Sequence, residues 1–147
     1  MTHAPKLTDP SDLDGLRHAL AALDPDLRMS HLGIARIELS ETAHLEVLPA
    51  VKEALATVGK TAPSAVVILT DTTPVLRAGE RLSMLVERQI EVEFSTRIIC
   101  LDGGHEKLHA DEMVLAMAAE AVKGADVIVT IGSGTMTDVG KIAAERN

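Results

Sequence analysis

The sequence has almost no aromatic residues, since its 147 residues include one phenylalanine, no tyrosine and no tryptophan. Proteins that bind single-stranded nucleic acid stack bases on aromatic side chains, so this shortage argues against that function. The net charge of −8 argues equally against a surface for nucleic-acid backbones, which needs many lysines and arginines on one face. We therefore expect no nucleic-acid partner, and a core built from alanine, valine, isoleucine, leucine and methionine.

Cysteine is also scarce, and the single Cys100 excludes an internal disulfide. It lies in the apolar run from Arg97 to Leu101, where we expect a small buried hydrophobic residue rather than a nucleophile. Long apolar runs are missing as well. The first ten residues lack the apolar segment of a leader peptide, and no run reaches membrane-spanning length. These absences favour a cytoplasmic protein with no membrane partner.

The rest of the sequence alternates between strand and helix patterns. Residues 1–31 are predicted to form an N-terminal extension with a short helix, and residues 32–147 an α/β domain. Helices are predicted at 46–58, 75–90, 110–123 and after residue 134, and strands at 33–39, 65–71, 97–101 and 126–131. Five consecutive apolar residues starting at Ala65 are typical of a strand covered on both faces. The predicted fold class is α/β, a Rossmann-like parallel sheet with helices on both faces.

The last predicted strand leads into Gly132-Ser-Gly-Thr and then into helix-forming residues. Gly132 and Gly134 permit backbone angles and a close approach that a Cβ atom would forbid. Ser133, Thr135 and Thr137 offer hydroxyl groups, and the start of a helix offers unpaired N–H groups and a positive dipole end. The loop therefore predicts a phosphate site at the start of the helix.

A purely structural role for the same loop stays open. Glycine would then turn the chain, and Thr135 or Thr137 would cap the helix. The loop is not the G-x-G-x-x-G fingerprint, because Thr137 stands at the third glycine position, and Lys141 lies too far along for a Walker loop.

Asp71 follows a predicted strand, as the glycine loop does. In open α/β sheets ligands lie beyond the carboxyl ends of the strands, where a carboxylate can accept hydrogen bonds from ribose hydroxyls and repel a 2′-phosphate. Asp71 therefore favours NAD over NADP. The alternative is that Asp71 forms a turn or caps a helix before Pro74.

A possible metal motif, H-E-x-x-H, spans His105 to His109. On a helix this spacing holds zinc and provides a glutamate base. Here Gly103 and Gly104 come directly before it, which disfavours a formed helix, and no third histidine follows. A surface loop is the favoured interpretation.

From Ala65 onward the chain resembles the N-terminal nucleotide-binding domain of the iron-containing alcohol dehydrogenase and dehydroquinate synthase superfamily. The branch it most resembles is sn-glycerol-1-phosphate dehydrogenase. Two stretches carry the resemblance: Val67-Ile-Leu-Thr-Asp71, and Gly132-Ser-Gly-Thr-Met-Thr-Asp-Val-Gly-Lys-Ile-Ala-Ala144, which matches the pattern Gly-Ser-Gly-Thr-x-x-Asp-x-x-Lys.

The resemblance implies roles for these residues. Asp71 would bind the adenosine ribose, Asp138 would face the nicotinamide near the substrate, and Lys141 is a weaker candidate. The pyrophosphate of NAD(P) would lie on Gly132, Ser133, Gly134 and Thr135. The implied reaction is hydride transfer between nicotinamide and an alcohol, a ketone or a polyol phosphate such as glycerol 1-phosphate, with zinc or iron as a Lewis acid.

The chain departs from the family in one large respect. Members carry a second, helical domain with the metal ligands, and no residue here matches one, so the domain is expected to be truncated and inactive alone. The unpaired edge of such a sheet also predicts a homo-oligomer. Two other functions stay open: a non-catalytic nucleotide- or phosphate-binding module, and a scaffold that binds a partner.

Overall fold

The computed structural model describes residues 9, 11–24, 26, 28, 33–60, 64–104 and 107–147. The chain divides into a first unit that ends at Ala43 and a second unit from His44 to Asn147. Within the described ranges, no helix is both long and apolar enough to cross a bilayer.

The first unit contains one helix, α1 (Leu13–Leu23), among its described residues. The Asp12 carboxylate accepts the Gly15 N–H at 2.8 Å and so caps the first turn. The strand predicted at 33–39 is wrong, because these residues form no strand. Ile34 and Leu39 keep 38% and 62% of their surface exposed, so the weak alternation that suggested a strand does not bury an apolar side.

A 3₁₀ turn at Ala43–Glu46 leads into the second unit, which then follows the α/β pattern. Its strands and helices, in chain order, are α2 (Val47–Thr57), β1 (Ala65–Asp71), β2 (Leu76–Arg77), β3 (Glu80–Arg81), α3 (Leu82–Ile90), β4 (Ser95–Leu101), α4 (Glu112–Ala121), β5 (Val127–Ile131) and α5 (Gly134–Arg146). Gly59 and Gly124 follow α2 and α4 with φ angles of +69° and +75°. Both glycines therefore end helices in the left-handed conformation, as the sequence predicts.

The main sheet has three parallel strands in the order β4-β1-β5. The chain leaves the central β1 for β4 on one side and then crosses to β5 on the other. The connections thus diverge between β1 and β5, and such a switch point is where open α/β sheets bind ligands. The predicted α/β fold with a parallel sheet is confirmed.

Helices cover both faces of this sheet. On one face α2 and α3 enclose a core of Val51, Leu55, Val66, Ile68, Val86, Ile90, Phe94 and Ile131. On the other, α4 and α5 enclose a core of Val67, Leu69, Leu101, Val114, Leu115, Ala118, Val122, Met136, Val139 and Ala143. The two successive crossovers run in opposite directions, so right-handed connections place α3 and α4 on opposite faces. Alternate residues of β1 therefore enter different cores.

Two predictions fail in this unit. The helix predicted at 75–90 begins only at Leu82, because β2 and β3 form a hairpin before it. Ala78 and Gly79 make the hairpin turn with φ angles of +51° and +82°, which an α-helix does not allow. Cys100 is exposed rather than buried, because β4 is an edge strand of the sheet.

Candidate functional site

The strand register places Asp71 and Gly132 at adjacent strand ends. Thr70 pairs with Ile131, so Asp71, the last residue of β1, and Gly132, the first residue after β5, follow paired residues at the same edge of the sheet. We call this edge, beyond the last residues of β1, β4 and β5, the carboxyl edge. The predicted ribose and pyrophosphate residues thus lie together at the switch point.

Gly132 is required by packing inside the chain. Its φ angle is +157°, and a Cβ atom there would lie 2.6 Å from Cγ and 2.9 Å from Cβ of Met136. Met136, on the core-facing side of α5, is fully buried and cannot easily move away. A side chain at Gly132 would therefore displace the start of α5 whether or not a ligand binds.

Gly134 differs from Gly132. No heavy atom lies within 4 Å of the position that its Cβ would take, and its φ angle is outside the left-handed region. Gly134 therefore does not need a backbone angle reserved for glycine, and the close approach of a ligand that its missing Cβ would permit stays a prediction. The space beside Gly134, at the first residue of α5, is open.

The start of α5 has no side-chain cap. Ser133 is the N-cap residue, but its side chain makes no capping hydrogen bond. Thr137 is exposed; its N–H makes the ordinary helical bond to the Ser133 carbonyl at 3.1 Å, and its hydroxyl donates to the same oxygen at 3.4 Å. Neither Thr135 nor Thr137 caps the helix, which was the structural alternative. The first N–H groups of α5 therefore lack acceptors within the helix, beside the open space at Gly134.

Asp71 is 5% exposed, and its Oδ1 accepts the Thr73 N–H at 2.9 Å. This bond is the turn that the sequence offered as the alternative role for Asp71. Strand alternation places Asp71 on the same face as Val67 and Leu69, which is the face covered by α5. The carboxylate thus lies on the glycine-loop side of the sheet, with one oxygen engaged in the turn.

Asp138 and Lys141 follow in the second and third turns of α5, and both are exposed. Lys141 is one of a few described basic side chains that make no hydrogen bond or ion pair. Among the described lysines and arginines, four have no hydrogen-bond or ion-pair partner: Arg77, Arg81, Lys107 and Lys141. Three of the four lie in the connections that leave β1 and β4 at the carboxyl edge. Unpaired cations are therefore available there for an anion.

The H-E-x-x-H motif falls partly outside the described residues, which omit His105 and Glu106. His109 precedes α4 in an irregular segment, so it is not on the helix that a zinc peptidase needs. Across the described parts of the chain, no group of three histidine, cysteine, aspartate or glutamate side chains could hold a metal ion.

Sequence reasoning missed the residues that hold the strands and α5 in place. A Cβ at Gly140 would lie 2.2 Å from Oγ1 of Thr130, so glycine lets α5 pack closely on β5. Asp126 accepts the Ala65 N–H at 2.9 Å and also bonds Lys60, which ties β5 to the start of β1. The Lys60 hydrogen bond, helped by that of Ala65, lowers the pKa of Asp126 below its usual 3.8. The small residue at Gly140, one helical turn from buried Met136, was a usable signal.

A cleft of about 440 Å³ lies far from this edge. Its lining includes Lys52 and Leu55 of α2 and Phe94, just before β4. The lining residues come before the first residues of β1 and β4 in the chain. The cleft therefore lies at the amino end of the sheet, opposite the carboxyl edge, and no glycine-loop residue lines it.

Comparison with protein-family models, with curated proteins and with solved structures yields no match to this chain.

Proposed function

We propose that the chain binds a dinucleotide at the carboxyl edge, between β1 and β5, and prefers NAD to NADP. One observation carries this proposal: the uncapped start of α5 opens onto free space at Gly134, at the switch point of the sheet. Peptide N–H groups and the helix dipole together favour a phosphate there, even in a chain with a net charge of −8.

The adjacent strand end accounts for the expected preference for NAD. Asp71 uses Oδ1 in its turn, which leaves Oδ2 to accept a ribose hydroxyl. A 2′-phosphate at the same place would be repelled by the negative carboxylate of Asp71. NADP should therefore bind more weakly than NAD, provided that the adenosine ribose lies against Asp71.

We infer that this binding serves hydride transfer between nicotinamide and a small alcohol, ketone or polyol phosphate. The support for this step is the sequence resemblance, which assigns Asp138 to the nicotinamide side. The resemblance also implies zinc or iron to polarise the substrate oxygen. Among the described residues, no group of three histidine, cysteine, aspartate or glutamate side chains could bind such an ion. We expect no steady turnover of alcohols by this chain alone with added zinc, iron or nickel.

Titration calorimetry of the purified chain with NAD, NADP and ADP tests the proposal. We expect NAD to bind at least about tenfold more tightly than NADP, which corresponds to about 1.4 kcal/mol. Absence of heat with all three nucleotides, from a chain whose circular dichroism shows a folded α/β domain, would refute nucleotide binding.

A non-catalytic phosphate-binding module is the second candidate function. The uncapped start of α5 supports it as well, since its N–H groups can hold a phosphate whether or not a reaction follows. The same titration separates the two functions, because a dehydrogenase domain should gain affinity from the nicotinamide half of NAD. Equal affinities for ADP and NAD would show that the nicotinamide half adds no contact and would favour the non-catalytic module.

A further inference from the structure

The cleft of about 440 Å³ at the amino end of the sheet takes no part in the proposed function. We call it the amino-end cleft. Its lining comes from the second half of α2, from Gly59 and Lys60, which follow that helix, and from Glu93 and Phe94, which precede β4. The volume falls within the range of roughly 300–1,000 Å³ that is typical of binding sites for small molecules.

Apolar side chains from the core line this cleft. Leu55 of α2 and Phe94, just before β4, are 2% and 8% exposed, and both belong to the core that α2 and α3 enclose. The amino-end cleft therefore opens onto that core. Ala56, in the last turn of α2, lines the cleft as well and is exposed. An apolar group that entered the cleft would exchange water for contact with these side chains, which is favourable.

Three charged side chains line the same cleft: Lys52, Lys60 and Glu93. The Lys52 ammonium bonds both carboxylate oxygens of Glu93, at 3.0 and 2.9 Å, and so links α2 to the turn before β4. The side chains of Lys52, Glu93 and Lys60 are 52%, 42% and 54% exposed, whereas Leu55 is almost fully buried. The lining thus changes from charged groups in contact with water to apolar groups of the core. Such a lining suits a molecule with one polar end and one apolar end.

Lys60 is able to bind a further acceptor. Its ammonium bonds Oδ1 of Asp126, and Oδ2 of the same carboxylate accepts the Ala65 N–H at 2.9 Å. Asp126 is therefore held by the sheet and in turn holds Lys60. An ammonium group has three N–H donors, so the bond to Asp126 leaves donors for a ligand. Two ammonium groups and one carboxylate line the cleft, and a single negative charge is therefore better matched to this lining than a positive one.

We propose that the amino-end cleft binds a small amphipathic monocarboxylate. The aliphatic chain or aromatic ring of this ligand lies against Leu55, Ala56 and Phe94. Its carboxylate accepts hydrogen bonds from the ammonium groups of Lys60 and Lys52. A cationic ligand would meet two ammonium groups, and an uncharged one would leave the charge-assisted hydrogen bonds unmade. The site lies at the opposite end of the sheet from the glycine loop and is independent of nucleotide binding there.

Two-dimensional amide NMR of the full chain during titration with octanoate tests this site. The amide signals of Gly59 and Phe94 should shift and saturate, whereas those of Gly132 and Gly134 should stay in place. Titration with NAD should produce the opposite pattern, so the same spectra follow the two sites separately. We expect a dissociation constant on the order of 1 mM, which is usual for a ligand with so few atoms.

Matched ligands test the two ends of the molecule. Hexanoate has two CH₂ groups fewer than octanoate and should bind about tenfold more weakly, because the lost groups no longer contact the apolar lining. 1-Octanol has the same chain length without the charge and should bind at least about threefold more weakly than octanoate. Acetate has the charge without the chain and should shift neither Gly59 nor Phe94 at the same concentrations.

Two variants locate the ligand, each with a control elsewhere in the fold. Ala56→Phe fills the cleft from an exposed helix position, so it should weaken octanoate binding at least about fivefold with little change in the unfolding midpoint. Ala116→Phe places the same ring on an exposed position of α4 and should leave the affinity unchanged. Lys60→Gln should weaken binding about threefold. Lys123→Gln removes a lysine that pairs with Glu120 and does not line this cleft, so it should change the affinity by less than about twofold.

The outcomes separate this site from the proposed function. Absence of shifts at the two cleft signals up to about 10 mM octanoate, or shifts confined to the glycine-loop signals, would refute the site. Equal affinities for octanoate and 1-octanol, or equal effects of the two lysine variants, would refute the contact between the carboxylate and the lysines. Unchanged octanoate affinity in Ala56→Phe would refute the location. Each of these results leaves NAD binding to be judged from the glycine-loop signals alone.

Discussion

Replacing Gly134 with alanine should raise stability and lower ligand affinity at the same time. The new Cβ would meet no atom of the chain within 4 Å, and the φ angle of Gly134 suits an L-residue. Alanine also restricts the unfolded chain, so the expected gain in unfolding free energy is about 0.4–1 kcal/mol. At about 4 °C per kcal/mol, the melting temperature should rise by about 2–4 °C.

Binding should move in the other direction. A phosphate that receives hydrogen bonds from the start of α5 must approach its backbone closely, and a methyl group at Gly134 occupies part of that space. Loss of one charge-assisted hydrogen bond of about 1.5–3 kcal/mol corresponds to at least about tenfold weaker binding of NAD. Thermal unfolding without ligand and calorimetry with NAD measure the two effects on the same sample.

Gly132→Ala is the informative contrast. Its Cβ would lie 2.6 Å from Cγ of Met136, so this variant should lose stability with or without ligand. It therefore cannot separate binding from folding. Unchanged NAD affinity in Gly134→Ala would refute the phosphate site at α5, and a lowered melting temperature would refute the inference that the space is open.

Two further predictions concern the framework of the site. Gly140→Ala should destabilise the domain by about 1–3 kcal/mol, because the methyl group would press on Thr130, and Thr130→Ala in the same chain should restore part of the loss in urea unfolding. Asp126→Asn should lower the urea midpoint at pH 7, where the charged Asp126 bonds Lys60. Because this bond lowers the folded-state pKa below 3.8, its contribution is complete well above that pH and lost as the pH falls through the lowered value. The difference between the two chains should therefore shrink in acid, and a constant difference from pH 7 to pH 3 would contradict the assignment.

The three parallel strands were predictable because their signals are local. The strands β1, β4 and β5 each contain a run of successive apolar residues that leads to a polar or glycine residue, which is typical of parallel strands. Gly59 and Gly124 likewise marked the ends of α2 and α4, since a left-handed residue ends a helix wherever it occurs.

The sequence-based predictions were wrong where one local pattern of apolar residues is compatible with two different structures. Residues 75–81 have apolar spacing that suits a helix, but Ala78 and Gly79 adopt a hairpin turn that joins β1 to a shorter α3. Cys100 lies in an apolar run, yet its exposure depends on β4 being an edge strand, which no feature of that run reveals.

The sequence by itself determined the alternation of strands and helices, the helix ends at glycine, and the loop that starts α5. Those features follow from backbone preferences and apolar periodicity over a few residues. Only the tertiary structure decided that β1 lies between β4 and β5, which brings Asp71 beside Gly132. It also separated Gly132, confined by Met136, from Gly134, which faces open space. Strand order and side-chain burial depend on contacts between segments far apart in the chain, and local patterns do not encode these contacts.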